Sequence, residues 1–278
     1  MKVQRISLLL IAALISLTVL ARVTQAQATP SNKLYQQMAR GEQTAFIAEQ
    51  ARRIARRMSG TEYEFTPAFE TEIQKSVEFY ARRIGNNGGD VAGKGDARFV
   101  FERGRDNAPI LSGAFKAHGL SPLLGLYIPL IESEYTNISQ PNSVGAIGMF
   151  QFLPKTGARF GLTAQELLDV EKSAAAAARY ILKNIAGFKS DAMKEALALL
   201  AYNRGERAVE RDLALIVNEQ NKRCSICALT AARDQLDATF QKENVYYVPS
   251  FFAAAIVGEN PQVFGLQTQP LSSYEMKR

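Results

Sequence analysis

Histidine and cysteine are nearly missing from this 278-residue chain: His118 is the sole imidazole, and Cys224 and Cys227 are the only thiols. Zinc takes about four nitrogen or sulfur ligands. The lone histidine lies far in sequence from the Cys-x-x-Cys pair, so a zinc centre is not expected, nor any other metal or cofactor. A thioredoxin-like redox site needs a βαβ setting, which is also missing. His118, in FKAHGLS, reads as a helix-end residue before Gly119 with no assigned role. No alternating apolar–polar run exceeds a few residues and no internal repeat is visible, which argues against a sheet-based or solenoid fold. The glycine-rich stretch at 86–96 lacks the Gly-Lys-Ser/Thr ending of a phosphate loop and follows no strand, so it reads as a surface connection.

Charge of one sign is also scarce. The net charge of +6 includes Lys2, Arg5 and Arg22; without them 6 − 3 = +3 remains. Such a balance does not point to nucleic acid. The one strongly basic stretch, ARRIARRM at 51–58, has Ile47, Ala51, Ile54 and Met58 at helical spacing. Arg52, Arg53, Arg56 and Arg57 then form a solvated helix face in preference to a polyanion patch.

A second apolar run long enough to span a bilayer is missing as well. The first, residues 6–20, follows Lys2 and Arg5 and ends in the small-residue steps TQA and AQA. At about 15 residues it falls short of the ~20 a spanning helix needs. Residues 1–28 therefore read as a cleavable secretory signal peptide. No cysteine stands near the cleavage region, so no lipid anchor is expected. The mature protein is expected in the periplasm or secreted, with no stable membrane insertion. In an exported chain a local Cys224–Cys227 disulfide is the default, acting as a pin across a turn.

What is present is helix. Thr66 caps a segment opened by Pro67, and Phe69, Ile73, Val77, Tyr80 and Ile84 make one apolar stripe. Asp169 opens a helix to Gly187 whose five alanines, 174–178, let another backbone come close. Ser190 or Asp191 is read as the cap of a helix through 206, and an apolar helix covers about 248–258. The chain is expected to be mostly α, with a helical N-terminal region (29–114), a compact helical C-terminal part (115–265) sharing its core, and a polar tail (266–278).

One stretch stands out. GLSPLLGLYIPLIESEY (119–135) is the most apolar part of the mature chain, and it ends in two glutamates. On a helix, residues two apart point about 200° apart. Glu132, one step from Ile131 and four from Ile128, belongs to the buried side, and Glu134 to the other. They are not a paired acid and base on one bond. Burial disfavours the charged carboxylate, so Glu132 is expected to hold its proton near neutral pH, as a general acid must. Burial alone leaves a second reading open: an interior glutamate held by a basic partner.

The residues that follow bear on that choice. Glu132-Ser133 precedes NSVGAIGMFQF (142–152), then LAYNRGERAV (200–209), then YYVPSFF (246–252). In order and spacing this series resembles the lytic transglycosylase (SLT, goose-lysozyme-like) family, closest to its membrane-bound murein transglycosylase D type branch. The matching positions are Glu132 and Ser133; Gly145, Ala146, Gly148 and Gln151; Ala201, Tyr202 and Asn203; and Tyr247. Four motifs in order over about 115–265 are far more specific than any one alone. The chain departs at Asn142, where the family has serine, and at Arg204, Arg207 and Ala208 after Ala-Tyr-Asn. Extra charge there bears on the preferred glycan or peptide stem. The segment 210–243 has no evident counterpart and reads as an insertion shaping one groove wall.

The resemblance implies a peptidoglycan lytic transglycosylase, a lyase acting on murein glycan strands of the cell wall. Glu132 would protonate the oxygen between N-acetylmuramic acid and N-acetylglucosamine, then take the proton of the muramoyl 6-hydroxyl as a 1,6-anhydro ring closes. Ser133, Gln151, Tyr202, Asn203 and Tyr247 would bind or orient substrate. Met149 and Phe150 read as core, and Gly145 and Gly148 as allowing a tight turn and close approach of substrate. The competing readings are a muramidase with water as nucleophile, and a non-catalytic wall-binding envelope component.

Overall fold

Apolar residues at helical spacing build the first two helices, and charged residues cover their outer faces. In a computed structural model, which describes residues 33–274, α1 (Arg40–Ser59) buries Ile47, Ala51, Ile54 and Met58. The expected signal peptide at 1–28, the linker up to residue 32 and residues 275–278 lie outside the described residues. Arg52, Arg53, Arg56 and Arg57 stand on the exposed side. Three of these four pair with carboxylates: Arg52 with Glu70, Arg56 with Glu62 and Arg57 with Glu259. α2 (Pro67–Arg83) opens where the Thr66 hydroxyl accepts the Phe69 N–H at 3.3 Å. Such a cap contributes about 1 kcal/mol. Its stripe of Phe69, Ile73, Val77 and Tyr80 is buried.

α3 (Ala97–Ala117) is capped by Asp96 and ends at His118, whose Nδ1 lies 2.9 Å from the Ala114 carbonyl. α4 (Pro122–Ser133) packs tightly on it. A Cβ at Gly125 would lie 2.5 Å from the Leu111 carbonyl oxygen, so only glycine permits this approach. α5 (Pro154–Arg159) is short. α6 (Val170–Gly187) begins where Asp169 accepts the Lys172 N–H, and Ala174, Ala176, Ala177 and Ala178 are buried where α6 meets α3 and α7 (Lys194–Arg204). α7 starts later than expected. Asp191 Oδ1 accepts the Met193 N–H at 2.7 Å and closes a turn there, a local side-chain alternative to helix.

The segment after α7 folds into α8 (Glu206–Ile216), α9 (Ser225–Ala231) and α10 (Ala238–Lys242). Cys224 and Cys227 are joined by a disulfide at the start of α9, and Cys227 Sγ also accepts the Thr66 N–H at 3.4 Å. That places α9 against α2.

α11 (Tyr247–Glu259) is apolar on every side, and α1, α2, α4 and α7 surround it. A helix hydrophobic all round belongs in a core. Here it is the axis of one continuous hydrophobic cluster running from Tyr35 to Leu271. The N-terminal helices are therefore part of that core. The expected boundary at 114/115 falls inside α3, where the helix runs on unbroken. The expected polar tail departs from its composition as well. Between 266 and 274 it buries Leu266 and Leu271, and Ser272 donates to Glu259 Oε2. The protein is mostly helical, and among the described residues the only extended pairing is one isolated bridge between Ile147 and Phe152.

Candidate active site

α4 carries Glu132 in its last turn, and the backbone then breaks sharply. Glu134 (φ 50°) and Tyr135 (φ 59°) are both left-handed without being glycine. Each such residue costs on the order of 1–3 kcal/mol and persists only where its surroundings hold it. Arg83 of α2 supplies that hold, with Nη1 donating to Glu134 Oε1 at 2.5 Å and Nη2 to Oε2 at 3.2 Å. The Gly93 N–H donates to Glu134 Oε2, Arg103 Nε to the Glu134 carbonyl, and the Tyr135 hydroxyl to the Leu126 carbonyl. Glu134 lines the same groove as Glu132 but is taken by these partners and is not solvated. Its side chain is 14% exposed and paired with Arg83, which is 7% exposed. Because Glu134 closes α4 in the left-handed region, its direction is set by the cap and not by the helical wheel.

Glu132 has the opposite surroundings. It is half-buried, and no lysine or arginine among the described residues pairs with it. Among the described residues its single hydrogen-bond partner is Tyr247, whose hydroxyl donates to Oε1 at 2.6 Å. Loss of water raises its carboxyl from the ordinary 4.5 to about 7, and the Tyr247 hydrogen bond offsets part of that rise. The reading of Glu132 as an interior glutamate held by a basic partner therefore fails. No neighbouring charge contributes to the shift, so this is one isolated acid in apolar surroundings. The Tyr247 phenol is itself pushed well up, first by burial and then by the Glu132 charge, so it acts as a hydrogen-bond donor and stays protonated.

Tyr202, near the end of α7, belongs to the same group. Burial and then the Glu132 charge push its phenol well up, and its hydroxyl donates to the Phe150 carbonyl at 2.9 Å. Its ring lies 5.8 Å from Phe152 and 5.2 Å from Tyr180, an aromatic wall beside the acid.

The loop at 142–151 is wired to α4. Ser133 is buried and donates its hydroxyl to the Met149 carbonyl at 2.7 Å, tying the end of the helix to that loop. Asn142, where the resembled family has serine, organises the turn: its Oδ1 accepts the N–H groups of Val144 and Ala146, both at 3.0 Å. Its Nδ2 donates to Gln151 Oε1 at 3.2 Å, and Gln151 Nε2 donates to the Gly148 carbonyl. Gln151 (φ 49°) is a third left-handed residue at the site. Gly148 (φ 77°) is held by a close backbone neighbour. A Cβ there would lie 2.3 Å from the Leu167 carbonyl oxygen, so the close approach is by backbone. Met149 and Phe150 are buried in the core. Asn203 is exposed at the end of α7, and its Oδ1 accepts from Asn244 Nδ2 at 2.6 Å.

Glu132 thus stands with Tyr247 and Tyr202, with Gln151 on the adjoining loop and Asn203 next to Tyr202 on α7. A groove of about 570 Å³ opens over Ile131, Glu132 and Ser133. Two of its aromatics escaped the sequence reading: Phe79 of α2, 43% exposed, and Tyr246, 44% exposed. Phe79 falls off the buried stripe of its helix, and that off-stripe position was the available signal.

Arg204 requires a correction. Its side chain is 4% exposed and is not a charge on the cleft. Its Nε and Nη2 bind Asp212, Nη1 and Nη2 bind Asp237, Nη1 also reaches Asn244, and its guanidinium lies 5.2 Å over the Phe240 ring. It anchors 210–243 to the end of α7, and the hollow that segment forms with Thr66 and Cys227 is separate from the Glu132 groove.

Among the described residues no helix is long and apolar enough to cross a membrane, and no group of His, Cys, Asp or Glu is placed to hold a metal ion. No curated protein matches the chain. Residues 111–223 match the family model of the Transglycosylase SLT domain, a lysozyme-like helical domain of lytic transglycosylases, which supports activity on peptidoglycan.

Proposed function

We propose that the protein is a lytic transglycosylase of the membrane-bound murein transglycosylase D type branch. It would cleave the β-1,4 bond from N-acetylmuramic acid to N-acetylglucosamine and leave a 1,6-anhydro end. The observation that carries this reading is the isolated Glu132 carboxyl, raised to about 7 and bonded, among the described residues, only by Tyr247. Near neutral pH it is poised to give a proton to the glycosidic oxygen and, once ionised, to take one from the muramoyl 6-hydroxyl. The substrate's own 2-acetamido group relieves the charge developing at the anomeric carbon. An internal hydroxyl needs no second carboxylate, which agrees with Glu134 being committed to Arg83.

In this reading Tyr247 tunes and orients the acid, and Tyr202 forms the wall beside it. Gln151 and Asn203 offer amide groups to hydroxyls and acetamido groups. Ser133 acts through the loop it braces, since its hydroxyl is bonded to the Met149 carbonyl. SLT-domain proteins act on the cell wall, and the signal-like residues 1–28 favour export to the periplasm or beyond. Mass spectrometry of digested wall, run beside Glu132→Gln, tests the proposal. Anhydro-muramoyl products that disappear in the variant are expected. Reducing ends would make the enzyme a hydrolysing muramidase, no release by the parent would leave a wall-binding component, and undiminished release by Glu132→Gln would deny Glu132 the role of acid.

A further inference from the structure

A second hollow, of about 750 Å³, lies one aromatic ring from the acid. Tyr180 lines it, and the Tyr180 ring is 5.2 Å from that of Tyr202, whose phenol feels the Glu132 charge. Its rim is cationic. Arg159 at the end of α5, and Arg207 and Arg211 of α8, line it, are exposed, and have no carboxylate partner among the described residues. The other cations at the hollow are already matched: Lys183 pairs with Glu206, and Arg204 is taken by both Asp212 and Asp237. Three guanidinium groups therefore remain without counter-charge. α8 starts from Gly205 with no side chain capping its first turn, which adds unpaired N–H groups at the same place.

Murein sugars give these arginines nothing to pair with, because the muramoyl lactyl carboxyl is amidated where a peptide stem is attached. The stem itself carries free carboxylates. Guanidinium groups bind carboxylates through two parallel hydrogen bonds, a geometry lysine cannot offer. We propose that this hollow binds the carboxylates of peptide stems borne by the glycan strand that lies across Glu132. The inference rests on the transglycosylase reading above; it keeps Arg207 from the sequence reading, drops Arg204, and adds Arg211 and Arg159.

The test measures binding apart from turnover. Titration calorimetry on the full chain carrying Glu132→Gln compares a disaccharide bearing a tetrapeptide stem with the same disaccharide without a stem. The stem-bearing ligand is expected to bind roughly three- to ten-fold tighter, as suits exposed ion pairs. The gap should close when Arg207→Gln and Arg211→Gln are added, and narrow in high salt. Equal affinity for the two ligands, no binding of either, or a gap that survives both arginine changes overturns the proposal. In the chain with Glu132 intact, R207Q/R211Q should cleave stem-free glycan at the parent rate and stem-bearing glycan more slowly; an equal fall on both also overturns it. Should the parent release no product from wall while the affinity gap is present, the transglycosylase reading fails and the stem site stands.

Discussion

Replacing Glu132 by glutamine should stabilise the protein, and by an amount that depends on pH. Glutamine keeps the shape and can still accept the Tyr247 hydroxyl. It removes only the ionisation. The carboxyl titrates at about 7 when folded, against 4.5 ordinarily. A carboxyl raised on folding favours the folded state below its unfolded value, and that contribution is lost as pH climbs through the folded one. Below pH ~4.5 the side chain is neutral in both states, so parent and variant should be nearly equal. Above pH ~7 the parent holds a charge in apolar surroundings, at a cost of (7 − 4.5) × 1.36, about 3 kcal/mol. Urea unfolding of both proteins at steps from pH 4 to 9 measures the difference directly. The variant's advantage should grow from near zero to about 3 kcal/mol, with most of the rise between pH 4.5 and 7. A difference flat across that range would refute the claim that Glu132 is a desolvated, unpaired acid.

Three other perturbations separate the parts of the site. Tyr247→Phe removes the one hydrogen bond holding the Glu132 carboxyl down, so the alkaline limb of the kcat/KM profile should move to higher pH; an unmoved limb would deny Tyr247 its tuning role. Arg204→Ala strands the sheltered Asp212 and frees 210–243, and should cost about 3–5 kcal/mol in chemical unfolding. A loss below about 1 kcal/mol would mean that Arg204 does not anchor the segment. Gly148→Ala forces a methyl against the Leu167 carbonyl at a left-handed position and should destabilise by on the order of 3 kcal/mol, read as a fall in thermal midpoint.

Much of the site was legible because its signals are local. The apolar run into Glu132 marks a buried helix in one dimension, whereas the direction of Glu134 was beyond wheel geometry because that residue closes α4 in the left-handed region. Thr66, Pro67 and Asp169 mark helix starts through contacts within three residues. Arg204 was misplaced because a charge after Ala-Tyr-Asn looks the same in sequence whether it faces solvent or three partners up to 40 residues on. Phe79 and Tyr246 meet in one groove across more than 160 positions, a pairing that neither local pattern contains.

Composition, periodicity and motif order were enough to determine a helical protein with one acid set into its greasiest stretch. Tertiary structure alone decided that Glu134 is paired with Arg83 and that Tyr247 is the sole hydrogen-bond partner of Glu132 among the described residues. The division has a physical reason. Helix formation and the expected burial of a side chain depend on neighbours within a turn or two. The protonation state of a buried carboxyl depends on which distant groups fill the space around it, and only the folded chain brings those groups together.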